Sequence, residues 1–374
     1  MSVQHHGKQH VVQHGEQFVG PHGRQHDARN VAQNVAQNVA QNVGQRSERS
    51  RAGGRWAARR GFLRHMCSGF VAAVAASGAD WSVGTHGRRL GAQEPMGGAE
   101  VAEKLRIVVF GAHPDDAEFK AGGTAAKWAR AGHAVKLVSV TNGDIGHWNM
   151  AGGPLALRRS AEAAAAAKRL GVASQVLDIH DGELVPSLEN RRLITRIIRE
   201  WKADIVIAHR PWDYHPDHRY VGVLVQDAAF MVTVPFICPD VPPLKKNPVF
   251  LYSSDGFQKP YPFQPDIVVA LDDIFDRKLE ALHELESQVY EGGAGGSAEQ
   301  FAAVPPASAP AARRQWLRER WELRQGREAD RYRAVLAKWY GEEHAKGIKF
   351  AEAFEICEYG RKPSDAELRR MFPF

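Results

Sequence analysis

The hydrophobic pattern changes character near residue 105. From there, apolar runs of strand length alternate with longer segments of helical composition. The run "LRIVVFG" at 105–111 is continuous rather than alternating, as expected of a strand covered on both faces of a parallel sheet. "AVKLVSVT" at 134–141, "QVLDIH" at 175–180 and "DIVIAH" at 204–209 predict three more strands. Between them, helices are predicted after the acids at 115–116, in the Ala-rich "LALRRSAEAAAAAKRLG" at 155–171 with its glycine stop, and over 188–201. "VFLYSS" from 249 and "DIVVAL" from 266 predict two later strands, with a helix over 273–290 behind them. A charged helix over 315–340 and a mixed tail close the chain. This alternation defines an α/β class, a doubly wound, mostly parallel sheet with helices on both faces. In such a sheet, ligands bind beyond the carboxyl ends of the strands.

The residues before 93 do not share this pattern. Residues 1–58 are rich in Gln, His, Asn and Gly and contain the repeat "NVAQNVAQNVAQNVGQ", which has too little apolar area to offset chain entropy. They are read as a disordered low-complexity leader. Residues 59–92 open with Arg59 and Arg60 before "GFL" and continue into a short Gly- and Ala-rich apolar segment. That order resembles a twin-arginine export signal, and the apolar segment is too short to span a bilayer. Export to the periplasm or beyond, with no transmembrane anchor after processing, is the expectation; a cytoplasmic protein is the alternative. Residues 93–374 then form one domain with a helical C-terminal extension. Its Gly- and Pro-rich stretch at 292–312 is expected to be a flexible surface insertion.

Charge and cysteine content narrow the functional classes. The formal net charge is +6, but the Lys/Arg excess sits in residues 1–92 and the rest of the chain is mildly acidic. Nucleic acid is therefore not the expected partner. Cys67, Cys238 and Cys357 are too few and too scattered for a disulfide framework or a thiolate metal site. The charged segment at 313–333 could serve as an assembly helix, which leaves a homo-oligomer open.

Two strand ends carry unusual chemistry. After the first strand the chain reads "AHPDD" at 112–116; after the fourth it reads "HRPWDYHPDHR" at 209–219. A histidine or aspartate behind a strand commonly caps a helix, and Asp115 or Asp116 could do only that. Two His-Pro-Asp cores at separate strand ends are hard to obtain from capping. Together they can supply two histidines and a carboxylate, the ligand set of a catalytic zinc site with a fourth position open to water. The same set resembles the facial triad of non-haem iron, so Zn2+ is expected and Fe2+ is the alternative.

On "AHPDD", on "HPDH" at 215–218, and on their order and strand context, the sequence resembles the zinc-dependent PIG-L or LmbE-like de-N-acetylases. The resemblance implies a Rossmann-like fold and hydrolysis of an acetamide on an N-acetylglucosamine-like sugar. It implies metal binding by His113, Asp116 and His218, with Asp115 as general base. It also implies that His215 stabilises the oxyanion or protonates the leaving amine, and that Asp217 orients His215. Arg159, in "RRSAE", is the implied contact to substrate hydroxyls; Asp181 and Asp144 are further substrate-binding candidates. Tyr214, Trp148 and Trp212 are expected as aromatic pocket walls. Where some relatives carry a tyrosine two residues before the second motif, this chain has Asp213.

Two other functions fit parts of the pattern. One is a different metallohydrolase, an amidase acting on a conjugate or a phosphoesterase. The other is a non-catalytic carbohydrate-binding protein on the same scaffold, which would not need Asp115.

Overall fold

The structure is a computed structural model that describes residues 104–374. The leader and the export segment lie outside the described residues. Seven strands form one sheet in the order β3-β2-β1-β4-β5-β7-β6. They are β1 (Arg106–Gly111), β2 (Ala134–Ser139), β3 (Ala173–Val176), β4 (Ile205–Ala208), β5 (Val249–Ser253), β6 (Ile267–Ala270) and β7 (Ala351–Ile356). All neighbouring pairs from β3 to β5 are parallel; β7 runs antiparallel to both β5 and β6.

The helices are α1 (Asp116–Arg130), α2 (Gly153–Leu170), α3 (Leu188–Trp201), α4 (Pro216–Met231), α5 (Phe275–His283), α6 (Glu286–Val289), α7 (Ala298–Ala302), α8 (Pro310–Arg331), α9 (Arg333–Tyr340), α10 (Glu342–Gly347) and α11 (Asp365–Met371). Alternate strand residues divide between two apolar cores. Ile107 and Val109 join one face with α1, α2, α5 and α8, while Val108 and Phe110 join the other with α3, α4 and α9. β1, β4, β5 and β6 thus bury both faces, which is why the sequence shows continuous apolar runs there.

Local signals set several boundaries. Ser187 caps α3 by accepting the Asn190 N–H, and Gly171 ends α2 in the left-handed region. The helix expected over 273–290 is broken into α5 and α6, and the one over 315–340 into α8 and α9. The mixed tail holds a strand that the sequence reading missed. β7 slots between β5 and β6, and its Glu352 accepts from Gly123 N, Thr124 and Lys278, tying the sheet edge to α1 and α5. Segment 292–312, expected to be a flexible insertion, holds a 3-10 turn (Gly293–Gly295), α7 and the start of α8. Cys238 and Cys357 are buried free thiols. Among the described residues no helix is long and apolar enough to cross a membrane.

Strand order reverses at β1. The chain runs from β1 outward to β2 and β3, then returns to place β4 on β1's other side. The crevice beyond β1 and β4 is therefore the topological switch point, where both His-Pro-Asp loops emerge.

Candidate active site

The first loop folds back on itself. Gly111 permits this, because a Cβ there would stand 2.7 Å from the Asp116 Cβ. With that space open, Asp116 Oδ2 accepts the backbone N–H groups of Ala112 (2.9 Å) and His113 (2.8 Å). Asp115 occupies the N-cap position of α1, yet its side chain makes no cap hydrogen bond. It accepts instead from Arg159 Nη2 at 3.1 Å. Arg159 is buried and also donates to Gly143 O at 3.1 Å.

The second loop contributes differently. His215 is the N-cap of α4, and its Nδ1 accepts the Asp217 N–H at 3.2 Å. That bond leaves the ring proton on Nε2. One turn on, His218 turns its Nε2 toward the first loop.

Three donor atoms meet at the junction. His113 Nδ1, Asp116 Oδ2 and His218 Nε2 lie 3.3 Å apart in all three pairings. Two imidazole nitrogens and a carboxylate oxygen are the donor types that zinc takes, and a cation bound there would be held by His113, Asp116 and His218. The nitrogens facing away from this triangle are held by carboxylates. His113 Nε2 meets Asp181 Oδ1 at 3.1 Å and Asp217 Oδ2 at 3.3 Å, and His218 Nδ1 meets Asp213 Oδ1 at 3.2 Å. Carboxylates behind ligating histidines are the usual way such rings are oriented and made more basic. The donor set fits a divalent cation.

The electrostatics agree. Burial would lower His218, but Asp116 and Asp213 outweigh it and push the ring up to about 9. Burial likewise opposes protonation of His113, yet its bonds to Asp116, Asp181 and Asp217 raise it well above the ordinary range. Burial disfavours the Asp116 anion too, and the surrounding histidines, His218 first, still hold it well below the usual carboxylate range. The cluster draws in positive charge. Asp115 differs: burial raises it, and Arg159 only partly opposes that. Burial, with Asp115 and Asp116 nearby, pushes Glu118 up to about 8, so this third acid stays neutral near pH 7. His215 is lowered by burial and by the neighbouring His113 and His218. A neutral ring at a helix N-terminus is the expected state.

These groups line a cavity of about 510 Å³. His113, Asp115, Asp116, Arg159, Asp181, Tyr214, His215 and His218 all reach it, and Gly292, Gly293, Ala294 and Gly295 close one side. The supposed surface insertion thus begins as a wall of the site. Tyr214 is exposed at the rim, its ring edge-on to those of His215 and His218.

Four expectations need correction. Asp144 does not line the cavity; its carboxylate is buried, taking His180 Nδ1 at 2.6 Å and Asp181 N at 3.1 Å, so it braces the loop that carries Asp181. Trp148 packs behind the glycine wall and donates to Glu291 O at 2.8 Å. Trp212 packs edge-on against Tyr261 rather than facing the cavity. The Asp217 carboxylate bonds Gly182 N at 2.7 Å and His113, not the His215 ring; only its backbone N–H holds that ring. Its other oxygen, Oδ1, is buried without a partner.

Two residues were missed. Asp213 backs His218, and the signal was present as an acid five residues ahead of a candidate ligand in the same loop. His209 stacks on His218 with centroids 4.2 Å apart, and its Nε2 lies 3.4 Å from Asp116 Oδ2. It ends a strand-like run, so its pattern reads as core.

Fold and site together define a doubly wound α/β protein with a two-histidine, one-carboxylate cluster at its switch point. Residues 108–229 match the family described as GlcNAc-PI de-N-acetylase, or PIG-L. Diacetylchitobiose deacetylase of Thermococcus kodakarensis is 32% identical over 194 residues, covering 50% of this chain and 71% of that protein. Among solved structures, the N,N'-diacetylchitobiose deacetylase of Pyrococcus horikoshii is 26% identical with a TM-score of 0.49, covering 68% of this chain and 84% of that one. The 4-carboxy-2-hydroxymuconate hydratase of Pseudomonas putida shares the fold, with a TM-score of 0.53 at 20% identity over 70% of this chain and 99% of that one. The chain belongs to the PIG-L family, a family of deacetylases.

Proposed function

We propose that this protein is a metal-dependent hydrolase that removes the acetyl group from an N-acetylated, glucosamine-like sugar. One observation carries the reading: the 3.3 Å donor triangle has the Asp115 carboxylate beside it, bonded to Arg159 and not spent on helix capping. The deacetylase relatives support the choice of an amide as substrate. When bound by His113, Asp116 and His218, a divalent cation supplies Lewis acidity toward the amide oxygen and makes a nearby water more acidic.

The chain's own groups perform the proton transfers. Asp115 accepts the proton from the attacking water, and burial, which raises its pKa, makes it a stronger base for that task. Arg159 fixes the direction of that carboxylate. The water oxygen bonds to the carbonyl carbon while His215, with its proton on Nε2, donates to the oxygen that gains charge. Asp115 then returns its proton to the amine nitrogen as the carbon–nitrogen bond breaks, releasing acetate. Asp213, Asp181 and Asp217 hold the two histidines in place throughout.

The test is amine release from N,N'-diacetylchitobiose and N-acetylglucosamine by the purified, zinc-loaded protein. Release that falls to background in Asp115→Asn, with zinc still bound, is the expected result. Zinc-loaded protein that frees no amine from either sugar would overturn the reading, as would full activity in Asp115→Asn. The hydratase that shares this fold makes the amine readout decisive, because adding water to an alkene frees no amine.

Residues 59–92 are proposed to direct export. Replacing Arg59 and Arg60 by lysine should retain the chain in the cytoplasm, and an unchanged distribution in cell fractions would remove that proposal.

A further inference from the structure

The cavity continues past the catalytic groups. Lys120 and Arg324 line both the main cavity and an adjoining one of about 220 Å³. Lys120 comes from α1, and Arg324 comes from α8, outside the residues that match the family.

The charges around them do not balance. Each acid that lines the main cavity has a basic partner: Asp115 has Arg159, Asp116 and Asp181 have His113, Asp213 has His218, and Asp255 has Arg210 in a two-pronged bond. The two remaining cations have no such partner. Lys120 Nζ donates to a neutral acceptor, Ser254 O, at 2.6 Å. Arg324 stacks its guanidinium over Phe119 and Trp321, at 5.7 and 5.4 Å, and among the described residues it has neither a hydrogen bond nor an ion pair. Glu328, one turn further along α8, also lines the adjoining cavity; it forms no ion pair with either cation, and its Oε1 is buried without a partner. Burial depresses Lys120, and the charge of Arg324 depresses it further. Two cations that repel one another beside an open cavity form a favourable site for an anion, and arginine's planar fork suits an oxyanion.

We propose that Lys120 and Arg324 form a specificity subsite that takes an oxyanion, phosphate or carboxylate, carried by the N-acetylated substrate. This rests on the deacetylase reading for the adjoining centre. The subsite would join Lys120 of the matched region to Arg324 of the C-terminal helical extension, so the extension would contribute to substrate selection while the matched region performs the chemistry.

The experiment uses the full-length, zinc-loaded protein and products that cannot turn over. Calorimetry compares glucosamine 6-phosphate, muramic acid and neutral glucosamine. One or both anionic sugars should bind about 10- to 100-fold tighter than glucosamine, the gap expected for charge-assisted contacts, and the advantage should shrink as salt rises. Whichever anion gains distinguishes phosphate from carboxylate. In Arg324→Gln and Lys120→Gln the advantage should collapse, and Arg324→Lys should restore part of it. Equal binding of all three sugars, or an advantage that survives both glutamine substitutions, overturns the subsite. Amine-release assays on the acetylated forms separate the two ideas. Release without anionic preference removes the subsite and leaves the deacetylase. No release from any sugar, with the anionic advantage intact, removes the deacetylase and the substrate assigned to the subsite, and leaves an anion site at Lys120 and Arg324.

Discussion

The tripeptide His-Pro-Asp occurs behind β1, at 113–115, and behind β4, at 215–217, and the helices that follow start at different points within it. Behind β1, α1 begins after the tripeptide, so Asp115 stands at the N-cap and His113 lies outside the helix. Behind β4, α4 begins on the proline, so His215 itself is the cap and His218 sits in the first turn. A two-residue difference in helix start therefore assigns different work to the same residues. In the first loop the histidine faces the donor triangle and the aspartate, free of capping, accepts from Arg159. In the second, the histidine loses Nδ1 to capping and keeps a donor at Nε2, while its aspartate turns away to brace His113. The chemistry of a short motif is set by where the helix begins as much as by the letters in it.

Removing the shared centre should have the largest effect. Chelation, or His218→Ala, should reduce bound metal from about one per chain toward zero and bring amine release to background, with zinc restoring only the chelated wild type. Elemental analysis beside the activity assay checks this, and metal-free protein with full activity would break the comparison at its root. Next come the two tripeptides themselves. Asp115→Asn should lower kcat by about 10²- to 10⁴-fold, and His215→Gln by about 10²-fold, both with metal content unchanged. Equal loss of metal in either variant would mean that the loops do not divide the work as described. Asp213→Asn should weaken metal affinity by about 10- to 100-fold through His218, read by competition with a chelating dye. The smallest effect is expected at Gly143, whose φ of +69 and contact with the Arg159 guanidinium leave no room for a side chain. Gly143→Ala should cost about 1–2 kcal/mol of stability and lower kcat through Arg159; an unchanged melting temperature and rate would show that Arg159 does not need that position.

Much of the fold was legible because burial writes itself into the pattern. The parallel strands β1, β4 and β5 are buried on both faces and read as apolar runs, and α3 matches its predicted bounds because Ser187 marks its start. β7 was not legible. Its pattern of alternating alanine and glutamate is that of no buried strand, and Glu352 is tolerated there only because Lys278, Thr124 and Gly123, all distant in sequence, satisfy its carboxylate. The site divides the same way. The six residues of the two motifs lie in two contiguous stretches and announce themselves, whereas Asp213, His209 and Arg324 gain meaning only from neighbours brought in by the sheet or by α8. Trp148 and Asp144 looked like pocket residues because their loops do reach the site, but their side chains point into the support beneath it.

The antiparallel strand β7 has a consequence for how the protein is made. Among the described residues β6 pairs only with β7, and the middle of α1 is tied to Glu352 across more than 220 residues. A ribosome that has synthesised β1 to β6 has therefore produced a chain whose last strand has no partner and whose helix α1 lacks one of its anchors. Contacts that span this much sequence close late. Native closure of the sheet edge must wait until the residues of β7 emerge, so a chain stalled before that point would expose β5 and β6 to wrong partners, and quality control should meet it as an unfinished sheet rather than a shortened enzyme.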